Sequence, residues 1–307
     1  MSSHRNVSVL ICLAIVSLLA AGGVVGATPA EDAYKQGQDL IKKKNFNGAV
    51  QALDKAISLD AKNSTFYISR GTAYSELGQY QKAIDDFTTA LRIDPLSAEA
   101  CYKRGKMYGL TGQGQKALAD CSKAVSLDPD DPEAYNNRGT AYLRQGQYQK
   151  AIIDFSKAIR LDPQYELAYH NRGFTYGGIG QPQKAIEDLN KAISLDPKDA
   201  MAYYHRGFTY HKLGQLQKAA DDYNKAIGLD PSNVNAYNYR GQIYYKQGKH
   251  PQAFMDYGKA FSLGPYFLPV CLVLAAGFLV ALASRLFGPR GLIARRKQAA
   301  AQGQHRV

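Results

Sequence analysis

Six arginines and six aspartates recur at spacings that invite a chemical reading. Arg70, Arg104, Arg138, Arg172, Arg206 and Arg240 each precede a glycine, in frames such as YNNRGTAY (135–142). An aspartate stands sixteen residues after each: Asp86, Asp120, Asp154, Asp188, Asp222 and Asp256. A guanidinium is a planar fork of donors that can grip a carboxylate at two points. The arginines therefore either bind an acidic ligand six times over or make six internal ion pairs. The stretch before residue 64 supplies a control. One period upstream of Arg70 stands Gln36, and one period upstream of Asp86 stands Ala52. Arginine and aspartate are lost together, which argues for pairing within a unit. Pairing with the preceding unit would set Arg70 beside Ala52 and leave Asp256 alone. The motif reads as scaffold.

Other chemistry is sparse. Cys12 and Cys271 lie in apolar runs, while Cys101 and Cys121 lie mid-chain without a CxxC or Cys/His spacing. The last two are expected to be small buried thiols. His205 and His211 are six apart, so they do not share a helix face as an i, i+4 metal pair would. No nucleophile elbow, phosphate loop or zinc motif occurs. The chain is expected not to be an enzyme and to hold no cofactor or metal.

The formal net charge is +12. Seven basic residues, Arg5, Arg285, Arg290, Arg295, Arg296, Lys297 and Arg306, lie near the two ends, where no acid occurs. The middle is close to balanced, which argues against nucleic acid as a partner. Residues 7–25 are apolar and lead to the small residues Val25-Gly26-Ala27. This order suggests a signal peptide over 1–27, or an uncleaved N-terminal anchor. A second uncharged run over 267–283 extends to 287, long enough for one transmembrane helix (267–287), and a basic tail (288–307) follows. Basic residues beside a span mark the cytoplasmic side. The expectation is an exported body, one membrane span and a short cytoplasmic tail.

The Arg-Gly pairs, a glycine eight residues after each arginine, and the Asp-Pro pairs at 94, 128, 162, 196 and 230 all step by 34. One unit reads PEAYNNRGTAYLRQGQYQKAIIDFSKAIRLDPQY (132–165). Apolar residues sit at helical spacing in both halves, Gly146 breaks the chain between them, and Pro163 stops the second half. This resembles the tetratricopeptide repeat (TPR) family, whose 34-residue pattern is met by Tyr135, Gly139, Tyr142, Ala151, Phe155, Ala158 and Pro163. The resemblance implies an all-α, right-handed α-solenoid of seven helix-turn-helix units: 30–63, 64–97, 98–131, 132–165, 166–199, 200–233 and 234–267. The repeat style resembles bacterial members, implying a bacterial inner membrane with the repeats in the periplasm.

In that family the first helices of the units line a concave groove. Carried over, the variable first-helix positions would meet a protein or peptide partner. The C-terminal half is richest in rings there, so His170, Phe174, Tyr204, Phe208, His211, Asn238, Gln242 and Tyr245 are expected to form the partner-binding groove. A membrane-anchored interaction scaffold results. Its alternatives are a cell-envelope or secretion-complex assembly factor, or a cytosolic-facing adaptor on an uncleaved anchor. Phe254, Tyr257 and Phe261 on the last helix have no capping helix after them in the sequence. Lipid, the start of the span or a second copy is expected to cover that end.

Overall fold

The computed structural model describes residues 28–264. Among these residues are fourteen helices and no strand. They fall into two compact units, one ending at Gly180 and the other beginning at Gln181. The first unit holds α1 (Pro29–Lys42), α2 (Phe46–Leu59), α3 (Ser64–Glu76), α4 (Tyr80–Ile93), α5 (Ala98–Leu110), α6 (Gly114–Leu127), α7 (Pro132–Arg144), α8 (Tyr148–Leu161) and α9 (Glu166–Gly178). The second holds α10 (Pro182–Leu195), α11 (Ala200–Lys212), α12 (Leu216–Leu229), α13 (Val234–Lys246) and α14 (His250–Leu263).

Each boundary has a local cause. Helices α1, α3, α5, α7, α11 and α13 begin at Thr28, Asn63, Ser97, Asp131, Asp199 and Asn233, whose side chains accept a backbone N–H of the first turn. After α8 the chain turns at Asp162, whose carboxylate accepts the N–H of Gln164 across Pro163. The same bond recurs at Asp94, Asp128, Asp196 and Asp230. Between α7 and α8 the chain enters the left-handed region at Gly146, φ 73°. Lys44 takes that position after α1 at φ 58°, where a side chain costs roughly 1–2 kcal/mol. Glycine at the other turns avoids that cost.

Apart from α10, each even-numbered helix packs on the first helix of its own pair, and each that is followed by a first helix within the same compact unit packs on that helix too, as α10 does on α11. The cluster of Ile68, Ala83, Ile84, Phe87, Ala90, Ala100 and Met107 spans α3, α4 and α5 in this way. The closest approach within a pair falls at the glycine beside the arginine. A Cβ on Gly139 would lie 2.7 Å from the Phe155 ring, and one on Gly71 2.8 Å from Phe87. One on Gly105 would lie 2.6 Å from Cys121 Sγ. The void left by the missing side chain is filled by whatever the second helix supplies. Cys101 and Cys121 are free and buried, and burial pushes both thiols up.

On α14, Phe254 and Met255 are 65% and 75% exposed. Ile84 and Ala220, at the position of Phe254 in earlier pairs, are each 4% exposed because the following first helix covers them.

The expectation of a transmembrane helix is corrected. Among the described residues, no helix is long and apolar enough to cross a membrane. A span needs about 20 apolar residues, whereas these helices have 13 or 14 with polar positions throughout. The segments read as signal peptide (1–27), span (267–287) and basic tail (288–307) lie outside the described residues. The single-pass, inner-membrane localisation built on them does not stand.

Gly139→Ala should lower stability by about 1–3 kcal/mol, because the new methyl meets a fully buried Phe155 ring that has nowhere to retreat. Urea denaturation would measure it. A neutral or stabilising effect, as helix propensity alone predicts, would show that the pair is not held at this distance.

Candidate functional site

The arginines are held on several sides. In α7, Arg138 Nε and Nη2 donate to Asp154 Oδ2 and Oδ1 at 2.7 and 2.8 Å. The same two-point grip joins Arg70 to Asp86, Arg104 to Asp120, Arg206 to Asp222 and Arg240 to Asp256. These aspartates are all buried. Arg172 lies in the first unit and Asp188 in the second. Tyrosines three residues before and four after flank the guanidiniums of Arg70, Arg172 and Arg240, as Tyr67 and Tyr74 do around Arg70 at 5.6 and 5.8 Å from the ring centres; Arg104 has Cys101 in the first of these places and only Tyr108 beside it. Hydrogen bonding to Asp86 is the largest of the effects that hold the Arg70 guanidinium charged.

A third contact went unforeseen. Arg70 Nη1 also donates to Asp54 in α2, sixteen residues upstream, at 2.6 Å. Arg104 reaches Thr88, Arg172 reaches Ser156, Arg206 reaches Asn190 and Arg240 reaches Asn224. Each of these arginines therefore bonds the second helix of the preceding pair. The signal was legible: a polar residue stands two places after each framework aspartate that is followed by another arginine of the 34-residue series, and Gly258 stands there after Asp256. The first pair has Ala52 in place of the aspartate but keeps Asp54.

The expected groove residues are divided between the units. His170 and Phe174 are in α9, the first buried and the second exposed. His170 Nδ1 lies 3.9 Å from Glu166 Oε1. The other six are in α11 and α13. Tyr204, Phe208 and His211 converge on Tyr239, at ring distances of 6.3, 5.2 and 5.7 Å. Tyr239, absent from the sequence expectation, is the centre of this cluster and stacks on buried Tyr223 at 6.0 Å. Asn238, Gln242 and Tyr245 have no ring contact with the cluster; Tyr245 is exposed and sits edge-on to His250. The rings thus fill the space between α11, α12 and α13.

A cavity of about 400 Å³ lies in the first unit, walled chiefly by α5, α7 and α9. Polar groups converge on it. Asn136 is 2% exposed, and its Oδ1 accepts Asn171 Nδ2 at 2.9 Å. Tyr165 is hydrogen-bonded to Asn136, and Tyr102 to Glu133; burial is the main reason both phenols titrate far above their ordinary value. Lys103, Lys106 and Arg144 also line the cavity, and Arg144 Nη1 donates to the Gly109 carbonyl. Leu110, Ala141 and Leu167 supply apolar wall. None of the residues lining this cavity is among the expected groove residues, two of which, His170 and Phe174, lie on α9 beside it.

Family profiles described as tetratricopeptide repeat match residues 64–95, 132–165 and 155–187. One described as TPR repeat matches 110–146, 179–214 and 209–248. The chain belongs to the tetratricopeptide repeat family. It is similar to small glutamine-rich tetratricopeptide repeat-containing protein 2 of Mycosarcoma maydis, 33% identical over 57 residues. That match spans 19% of this chain and 16% of the relative. Among solved structures, a tetratricopeptide repeat protein from Parabacteroides merdae aligns with TM-score 0.59 at 25% identity, covering 77% of this chain and 93% of its own. The Cut9–Hcn1 structure aligns with TM-score 0.68 at 17% identity, covering 75% of this chain and 45% of its own; it shares the fold. Members of this family mediate protein–protein interaction.

Two outcomes follow from the geometry. Asp154→Ala strands a guanidinium in the wall and should cost ~3–5 kcal/mol. Asp54→Ala removes a half-exposed partner and should cost under about 1 kcal/mol. Denaturant titration of both variants checks the ranking. His211 is held below its ordinary value, first by burial and then by the charge of Lys246. Its contribution is present above the unfolded-state pKa and lost as pH falls through the folded one. The drop in Tm between pH 7 and pH 5 should therefore be smaller in His211→Gln than in the parent.

Proposed function

We propose that this protein is a non-catalytic interaction scaffold that binds an extended segment of a partner protein on its first-helix face. The cavity between α5, α7 and α9 carries this reading, because it combines apolar wall with convergent carboxamides and hydroxyls. A carboxamide offers one donor side and one acceptor side, which suits the main chain of an extended peptide. Leu110 and Leu167 are exposed beside it and can seat an apolar side chain. Arg104 and Arg138, on the helices that wall the cavity, are occupied by Asp120 and Asp154 and hold those helices on their partners.

The His170 and Phe174 positions extend the same α9 face and belong to this proposed surface. In the second unit, Tyr204, Phe208, His211, Asn238, Gln242 and Tyr245 remain candidates for a contact of their own. Exposed Tyr245 and Gln242 are the better placed to meet a partner, since Tyr204, Phe208 and His211 already pack on Tyr239.

Selection of a random dodecapeptide display library on the protein tests this. Enriched peptides should lose about tenfold or more in affinity for an Asn137→Ala/Asn171→Ala variant, two hydrogen-bonding groups being worth ~1.4 kcal/mol or more together. Binding to Lys123→Glu, on exposed α6, should be unchanged. Peptides that bind all three proteins equally would place the site elsewhere.

A further inference from the structure

We propose that the uncovered face of α14 is a docking surface for this chain's own apolar run, residues 268–280, which packs there as the first helix of an unfinished eighth unit. This docking is independent of the peptide-binding reading above.

The α14 face is built to be covered. Phe254 is 65% exposed, whereas its equivalents Ile84 and Ala220 are buried beneath the next first helix. Two positions on a first helix meet the second helix before it. They are Phe66 and Ala73 on α3, Ala100 and Met107 on α5, and Ala236 and Ile243 on α13, all of them buried. On α1, the first described helix, Asp32 and Asp39 hold those positions and are exposed. One step of 34 beyond α13 the same positions fall on Val270 and Gly277. Where α1 has acids, the continuation past α14 keeps the apolar pattern of a helix that is covered.

The chain also leaves α14 as it leaves the earlier second helices. Gly264 is extended, as Asp94 and Asp162 are after α4 and α8, and Pro265 follows it as a proline follows those aspartates. First helices start four residues after that cap, which sets the next start at 268. Pro269 then falls in the first turn, where the missing N–H costs nothing.

Two framework changes fit this register. Arg206 bonds Asn190 and Arg240 bonds Asn224, each on the preceding second helix. One step on, the arginine position holds Leu274 and the polar position holds Gly258, so both members of the bond are replaced together. The glycine that admits a ring from the pair's own second helix becomes Ala275, and the aspartate position of that second helix becomes Arg290. A first helix with no second helix of its own does not need the glycine. Burial on α14 accounts for the uncharged character of the run without a bilayer.

The chain has no tryptophan, so Phe254→Trp in the full chain supplies a single reporter. In dilute solution without lipid or detergent, its emission should lie at shorter wavelength than in the unfolded chain and should not move on dilution. Val270→Asp sets a carboxylate against α14 and should abolish most of that shift, while far-UV circular dichroism still reports the folded repeats. Leu274→Arg should do the same, and adding Gly258→Asn should restore the shift by returning a partner to the guanidinium. Emission at the unfolded position in the dilute full chain overturns the proposal. A shift that grows with protein concentration assigns the face to a second copy, and one that needs phosphatidylcholine vesicles assigns it to lipid; either overturns it, as does a chain that stays in solution only with detergent. A shift that survives Val270→Asp, or that Gly258→Asn fails to restore, overturns the register.

Discussion

A helix with no side chain at its contact point can lie against its neighbour's aromatic ring, and the rest of each helix pair is arranged around that approach. Gly71, Gly139 and Gly241 let Phe87, Phe155 and Tyr257 press onto the backbone of the opposite helix. At that distance the arginine one residue earlier is carried alongside the second helix, within reach of its aspartate. The ion pair is thus a consequence of close packing as well as a restraint on it. Desolvation offsets much of the attraction in such partly buried pairs, so the pair's main effect is to fix the register of one helix on the other. Around Arg70, Arg172 and Arg240 the flanking tyrosines cover the guanidinium on two sides.

The upstream bonds from Arg70, Arg104, Arg172, Arg206 and Arg240 turn a paired restraint into a chain of restraints. Arg70, Arg104, Arg206 and Arg240 each bond both their own second helix and the preceding one, while Arg172 bonds the preceding second helix within the first unit. Asp54 lets a first pair without an Arg–Asp bridge join this scheme, and Gly258 takes the equivalent place after Asp256, where no arginine of the 34-residue series follows. Ladders of this kind suit repeat proteins, where stability is a sum of unit and nearest-neighbour terms. The helix spacing they set is the spacing across which Asn136 and Asn171 meet.

Function separates from framework along the same helices. The framework positions face the partner helix and are already satisfied. The cavity draws on the positions between them: Lys106 and Leu110 on α5, Asn136 and Asn137 on α7, Leu167 and Asn171 on α9. In the proposed function, variation at these positions changes the ligand and leaves the helix-pair contacts intact.

Much of this was legible in the sequence. The 34-residue step, the turn glycines, the Asp-Pro stops and the pairing of each arginine with an aspartate sixteen residues on are local or fixed-offset features, and a fixed offset survives folding unchanged. Membership of the family rested on the same residues. What the sequence could not rank was the surface. Tyr204, Phe208 and His211 read as open groove rings, yet Tyr239 comes from the next pair and fills the space they line. Nothing in the sequence signals that Asn136 and Asn171 touch, yet they meet between two helices, 35 positions apart. Both outcomes depend on which side chain of one repeat faces which side chain of the next. That is decided by tertiary packing, because whether two side chains leave a cavity or close it depends on their summed volumes across the interface and not on either residue alone.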